Sequence, residues 1–422
     1  VVYRAGCFIP TAGIDTAALT NYFNDLTQRQ GEGLLGMVNL FTGGALTRLS
    51  IFALGIMPYI SSSIIMQLLT AVVPALERIA KEGKAGYEKI NQITRYLTFA
   101  LCAIQGMFLS FWLSNPGNFD NTVIVPNPGP LFTVITILTL TAGTVFIMWL
   151  GEQIQERGIG NGISIIITAS ILSRIPSSVR QLYYLWAHEH QIDTFQILML
   201  IGLWFLMVMA VVLFSQAQRR IPIQYGRRVV GRKIYGGQST YLPIKVDMSG
   251  VIAIIFASSV LLFPATMATF LPKKFGLIGF VQNIINERGL WYNLIYVGLI
   301  MFFMYFYTAM VFNPLEISNN LKKYGGFIPG IRPGRPTANY LDYVATRIVF
   351  IGAVYISLIA IFPNIVMSVF RVPSSGLASL FGGTTLLIMV GVILDTMKQI
   401  EGQLLIRHYD GFIKGGALKG RK

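Results

Sequence analysis

Residues 50–73 read SIFALGIMPYISSSIIMQLLTAVV, a run without one Asp, Glu, Lys, Arg or His. About 20 apolar residues in a helix bridge the roughly 30 Å of hydrocarbon in a bilayer. The run is long enough to span, and Pro58 is tolerable where neighbouring helices satisfy the freed backbone groups. The same test, moved outward, finds further stretches at 94–114, 131–151, 162–172 (with a ragged outer end), 195–216, 249–271, 293–313, 348–363 and 380–396. The first ten residues, VVYRAGCFIP, are apolar but too short to cross. They read as the last part of a helix that starts upstream, so the complete protein is expected to have ten spans rather than nine. The fold class is therefore an all-α polytopic membrane protein.

Composition agrees. The chain has 422 residues, 54% hydrophobic and 12% charged, with mean hydropathy +0.61. Soluble domains carry about 25% charged residues, which excludes an ordinary water-soluble enzyme, and the hydrophobicity excludes disorder. The 42 Gly and 18 Pro follow no period, so the chain is not collagen-like. Cys7 and Cys102 have no metal-site spacing and read as small packed hydrophobes.

The net charge of +15 would suggest nucleic acid on a soluble protein. On a membrane protein it reads as loop bias toward the cytoplasm. Loops 74–95, 152–160, 217–247, 314–347 and 399–422 together carry 23 Lys and Arg, and those on the opposite side carry 7. The first set is expected to be cytoplasmic, as are both termini once the first helix is completed. No cleavable signal peptide is visible.

Residue types missing from the spans narrow the chemistry. Their centres lack the buried carboxylates, His or Lys that ion-coupled transporters use as relays. His188, His190 and His408 fall in an outer loop and the tail, away from any nucleophilic Ser. There is no P-loop and no HExxH. No catalytic residue, metal ligand or cofactor is expected. The spans do contain paired isoleucines one turn apart, Ile56 with Ile60 and Ile163 with Ile167. Taken alone, such pairs are far more often lipid-facing or packing residues. Ser61, Ser62, Ser63 and Gln67 follow the first pair, and helix–helix hydrogen bonding accounts for them as well.

The loops say more. Residues 217–247 contain IPIQY and QSTYLPIKV, two β-prone runs around a basic turn, which predict a twisted hairpin. Residues 322–337, KKYGGFIPGIRPGRPT, hold enough Gly and Pro to forbid a regular helix and predict a shaped tip that presents Arg332 and Arg335. Two large basic loops on one face suggest a docking surface for an acidic or nucleic-acid partner. Residues 31–49 are Gly-rich, moderately apolar and too short to cross. They read as an interfacial or re-entrant segment, or as a half-helix folded back to stopper a cavity.

Taken together and in order, FTGGALTRLSIFALGIMPYISSSIIMQLL, WLGEQIQERGIGNGISIII, QRRIPIQY…GRKIYGGQSTYLPIKV, FNPLEISNNLKKYGGFIPGIRPGRPT and GGTTLLIMVGVILDT resemble the SecY family of bacterial type. Its members form the central subunit of the Sec protein-conducting channel. The resemblance covers nearly the whole chain. It implies a ten-helix clamshell of two inverted-topology five-helix halves, here 1–180 and 195–398, followed by a cytoplasmic tail at 399–422.

The resemblance also implies roles for individual residues. A pore ring falls on Ile56, Ile60, Ile163, Ile167, Ile255 and Ile388. A lateral gate involves Ser61, Gln67, Gln105 and Phe263. A plug falls at about 33–49, with Asn39, Phe41, Gly43 and Gly44. Partner docking falls on Arg219, Arg220, Arg227, Arg228, Arg232, Lys233, Arg332 and Arg335. One departure is Ala253, where many members carry Pro.

The implied function is passage of unfolded secretory polypeptides across the bacterial inner (plasma) membrane, with lateral release of hydrophobic segments into the lipid bilayer. The implied partners are SecE and SecG, the SecA motor ATPase or the ribosome, and signal-bearing preproteins. The alternative carried by the residues alone is a secondary transporter of a small solute.

Overall fold

The structure is a computed structural model that describes residues 2–30, 42–119, 122–187, 193–225, 228–230, 233–235, 239–249, 251–270, 290–370 and 382–415. After a short helix α1 (Val2–Gly6) and α2 (Thr16–Gln30), the long helices begin. They are α3 (Met57–Val72), α4 (Pro74–Lys81), α5 (Lys84–Leu113), α6 (Pro130–Arg157), α7 (Gly162–Leu172), α8 (Ile175–Ala187) and α9 (Thr194–Gln216). Four strands follow: β1 (Gln218–Tyr225), β2 (Arg228–Val230), β3 (Lys233–Tyr235) and β4 (Ser239–Lys245). The chain continues as α10 (Val251–Phe270), α11 (Leu290–Val311), α12 (Pro314–Lys323), β5 (Gly326–Phe327), α13 (Arg335–Phe370) and α14 (Gly383–Gly415).

Every stretch read as a span coincides with a helix, but several ends differ. Ser50 bridges to Pro10 and residues 51–56 form turns rather than helix: Gly55 has φ +57, and Pro58 sits in the first turn of α3. The 16 residues of α3 reach about 24 Å at 1.5 Å per residue, short of a full crossing. Val73 precedes Pro74 and is extended, as the proline ring demands, and α4 leaves at 99° to α3. The ragged end after residue 172 is a break, because Pro176 cannot donate into a continuous helix. Beyond the break α8 completes a span over Gly162–Ala187. Among the described residues, seven helices are long and apolar enough to cross a membrane, or eight if the bent α3–α4 pair is counted as one. In addition, α10 is a 20-residue apolar helix.

The outer surface is apolar where it would meet lipid. Phe195, Leu198, Phe205, Met209 and Leu213 of α9 all lie exposed at helical spacing. A bilayer suits such a face because each backbone polar group is already bonded within the helix.

Helices α3, α5, α6 and α7 pack on one another, and so do α10, α11, α13 and α14. The two sets meet along two seams, α10 against α3 and α5, and α14 against α7. One buried apolar cluster runs through both sets. A second, with Leu19, Phe23, Leu49, Leu109 and Phe119, lies at the end away from the sheet. Cys7 and Cys102 are free and buried.

The predicted hairpin is present: β1 pairs antiparallel with β4, placing Arg219 opposite Ile244 and Arg220 opposite Pro243. β5 adds to the other edge of β1, with Gln224 opposite Phe327 and Tyr225 opposite Gly326. The resulting order is β4-β1-β5, so loops 217–247 and 314–347 form one sheet. A small core of Ile221, Ile244, Ile328, Leu341 and Val344 seats it on the bundle.

Candidate functional site

Four helices bring the six isoleucines into one region. Ile56 stands at the N-cap of α3, and the Ile60 amide N–H donates to its carbonyl at 3.1 Å, so the two occupy successive turns of one face. Asn161 caps α7 by accepting from the Ile163 and Ser164 amides at 3.1 and 3.3 Å. This fixes the start of the helix that carries Ile163 and Ile167. α10 supplies Ile255 and α14 supplies Ile388.

Ile56, Ile60, Ile167, Ile255 and Ile388 belong to the same buried cluster, with Ile163 half-buried against it. The cluster is larger than these six and includes Ile64, Ile254 and Ile300. Among the described residues, no Asp, Glu, Lys, Arg or His is buried; the buried polar groups are Ser, Thr and one Gln, with the hydroxyls of Tyr292 and Tyr296 and the thiols of Cys7 and Cys102. Such a surface offers a passing chain no charge and few hydrogen bonds, and a dry apolar constriction blocks ions by dewetting.

Ser61 and Gln105 are buried on α3 and α5, the helices that meet α10. Ser62 Oγ donates to the Pro58 carbonyl at 2.8 Å, and Gln67 Nε2 donates to Ser63 Oγ at 3.2 Å. Ser62 is thereby satisfied within its own helix, whereas the Gln67 side chain also hydrogen-bonds to Tyr307 of α11. Phe263 lies in α10, but its side chain is outside the described set.

Asn39 and Phe41 also lie outside the described residues. Gly43 and Gly44 form a turn with φ +65 and +89. That turn is tied to the chain's beginning. Arg4 Nη1 donates to the Gly43 carbonyl at 2.7 Å, and the Tyr3 hydroxyl donates to the Thr42 carbonyl at 3.0 Å. The Thr11 amide and hydroxyl both donate to the Leu49 carbonyl at 2.9 Å. The sequence gives no periodic signal for these contacts.

On the sheet, Arg219 and Arg220 are exposed, and the Arg220 guanidinium stacks 4.8 Å from the Tyr241 ring. Arg228 and Lys233 lie in the β2–β3 ladder, without described side chains. Arg227 and Arg232 are outside the described residues. Arg332 and Arg335 are exposed on a tip shaped by Gly330 and Gly334, with φ +82 and +105. The Thr337 hydroxyl donates to the Arg332 carbonyl at 2.8 Å, and Ser318 Oγ donates to the Gly334 carbonyl at 2.6 Å. The irregular stretch is shorter than expected: α13 starts at Arg335 with Pro336 in its first turn, where the missing N–H has no helical partner to lose.

Of the ion pairs, the one between helices leaves no trace in the sequence, whereas Glu77–Lys81 stands at the i, i+4 spacing that helical periodicity exposes. Arg95 and Glu152 form a two-pronged pair between α5 and α6, with Nε and Nη2 donating at 2.9 and 2.8 Å. On α4, Lys81 donates to Glu77 at 2.6 Å and holds that carboxyl below its ordinary range.

Comparison with known proteins follows the same direction. The SecY family model matches residues 50–397. The chain is 46% identical to the protein translocase subunit SecY of Streptomyces scabiei, covering 98% of this chain and 94% of that one. It is 43% identical to the same subunit of Thermotoga maritima, covering 100% and 94%. In fold it matches a solved protein-conducting channel with TM-score 0.68 at 17% identity, over 99% of this chain and 92% of the other. Sec61 in the canine ribosome-channel complex matches with TM-score 0.63 at 16% identity, over 99% and 92%. A small-solute transporter is thereby set aside, and so is an enzyme. The chain belongs to the SecY family and is a protein-conducting channel subunit of the Sec translocase.

Proposed function

We propose that the six isoleucines form the constriction through which an unfolded secretory chain passes. The convergence of Ile56, Ile60, Ile163, Ile167, Ile255 and Ile388 on one apolar cluster supports this most directly. A channel for any sequence must accept every side chain, and branched aliphatic groups pack around cargo without holding it. Residues 33–49 close the constriction as a plug, and the chain forms two inverted halves around it. The seam between α3, α5 and α10 is the lateral gate. Through it, lipid accepts Leu, Ile, Phe and Val at about −0.3 to −0.6 kcal/mol each and rejects charge at about +2.5 to +3.5.

The sheet-bearing end is cytoplasmic in this reading, in a bacterial plasma membrane, with both termini on that side. Its basic loops dock the motor ATPase SecA or a ribosome, and SecE and SecG brace the bundle. Reconstitution in vesicles with SecE, SecG, a signal-bearing precursor, the motor ATPase and ATP tests the reading. Precursor protected from added protease is the expected result. Full digestion, with all components assembled, would refute it.

A further inference from the structure

The two seams between the helix sets differ in what holds them. At the sheet-bearing end of the α7–α14 seam, the Gly160 amide N–H donates to Gln399 Oε1 at 2.8 Å, joining residues 239 apart in sequence. Gly160 has φ +90, and a β-carbon there would lie 3.0 Å from Ile165 Cδ1 and 3.2 Å from Thr396 Oγ1. Its neighbour Gly162 lies against the Gly151 carbonyl with no room for a β-carbon. The loop 158–161 is thus fixed to α6, α7 and α14 together.

At the opposite end of the bundle, one described hydrogen bond joins α8, which continues α7, to α9, which packs on α14. There α8 ends at Ala187 and α9 begins at Thr194, and Trp186 Nε1 donates to Thr194 Oγ1 at 3.1 Å. Two anchored points at opposite ends of the bundle define an axis. Rotation about such an axis would part α10 from α3 and α5 and leave α7 in contact with α14.

We propose that Gly160 and Gln399 are the sheet-end pin of this axis, and that Gln399 is a positioning residue keeping Ile163 and Ile167 in register with Ile388. The idea rests on the constriction reading above. One acceptor on one main-chain donor suits a pin, since it fixes a position and leaves rotation about the bond free.

The test compares Gln399→Leu with Gln399→Glu in the complete reconstituted complex. Gln399 is exposed, so both variants should assemble, and the yield of complex on size exclusion checks this. Spin labels at Tyr96→Cys on α5 and Phe350→Cys on α13, both exposed sites, report the spacing of the two sets. Glu keeps an acceptor for the Gly160 amide and should match the parent. Leu should broaden the label distances and raise resting ion conductance several-fold. Unchanged label distances in Gln399→Leu would overturn the pin, as would a Glu variant as loose as Leu. The label distances do not depend on the isoleucines, so they judge the pin even if serine variants of the ring fail to leak.

Discussion

Gly391 of α14 lies against the Val251 side chain of α10 with no space between them for a β-carbon. Gly391 is three residues past Ile388, and Val251 is four before Ile255, so each shares a helix face with its isoleucine. The contact sets how closely Ile388 and Ile255 approach. Gly391→Val forces the helices apart, and overpacking of this kind costs about 1–3 kcal/mol. Lower thermal stability of the purified complex and a higher resting conductance are expected. Adding Val251→Ala to the same chain should recover part of both. A Gly391→Val protein as stable and tight as the parent would contradict the argument.

The proposed constriction is tested at two positions of the same buried cluster. Ile60 and Ile255 are 3% and 5% exposed, on helices α3 and α10. Serine at both brings hydroxyls into a dry throat and favours its wetting. Planar-bilayer recordings should show a resting current that the parent lacks. Truncating a buried Ile costs about 2–5 kcal/mol, so two changes are preferable to six. A silent double variant that still transports precursor would mean the seal lies elsewhere.

Hydropathy located the helices but not their ends. A span stops where charge begins, whereas helical hydrogen bonding does not. Lys84, Glu88 and Lys89 are good helix formers, so α5 starts at Lys84, ten residues before the apolar stretch. For the same reason α13 begins at Arg335 and α14 continues to Gly415. The bend at Val73 was visible only as Pro74. β5 is two residues long and carries no alternation that a pattern could detect. The isoleucine set came from family resemblance, because periodicity alone cannot separate a lining residue from a packed one. The Gly160–Gln399 bond depends on tertiary geometry and leaves no local trace.

The Arg95–Glu152 pair joins α5 to α6 with two parallel hydrogen bonds, a geometry that only a guanidinium supplies to a carboxylate. The Arg side chain is 47% exposed and the Glu 20%, so solvent screens the pair. Glu152→Gln should lower stability by about 1 kcal/mol or less. Arg95→Lys should lose a similar amount despite keeping the charge. Equal melting temperatures for Arg95→Lys and the parent would show that the fork geometry contributes nothing.

Ser63 and Gln67, one turn apart, keep one face of α3 partly polar, and Ser61 adds a buried hydroxyl elsewhere on the helix, where a wholly apolar helix could pack dry. Leucine at all three should stabilise the closed seam and shift the closed–open equilibrium against opening. Export of precursors with weakly hydrophobic signals should fall most, because their signals contribute the least to opening. Parallel export assays with a weak and a strong signal measure the difference. Equal efficiency for both signals in the leucine variant would show that seam polarity does not govern the gate.

Arg332 offers a charge without a structural duty. Its side chain is exposed, and its contact with Thr337 runs through the backbone carbonyl, which any residue supplies. The tip is held by Gly330, by Gly334 and by Ser318. Arg332→Glu should therefore leave the fold and the resting conductance unchanged. Reversal at an interface places like charges against an acidic partner and slows encounter, more so at low salt. Motor-driven export and the stimulated ATPase rate should both drop, with partial recovery as ionic strength rises. Arg332→Lys separates charge from guanidinium geometry: near-parent rates would assign the role to charge, and rates as low as those of Glu to the planar fork. Full motor-stimulated transport by Arg332→Glu would remove this tip from the docking surface.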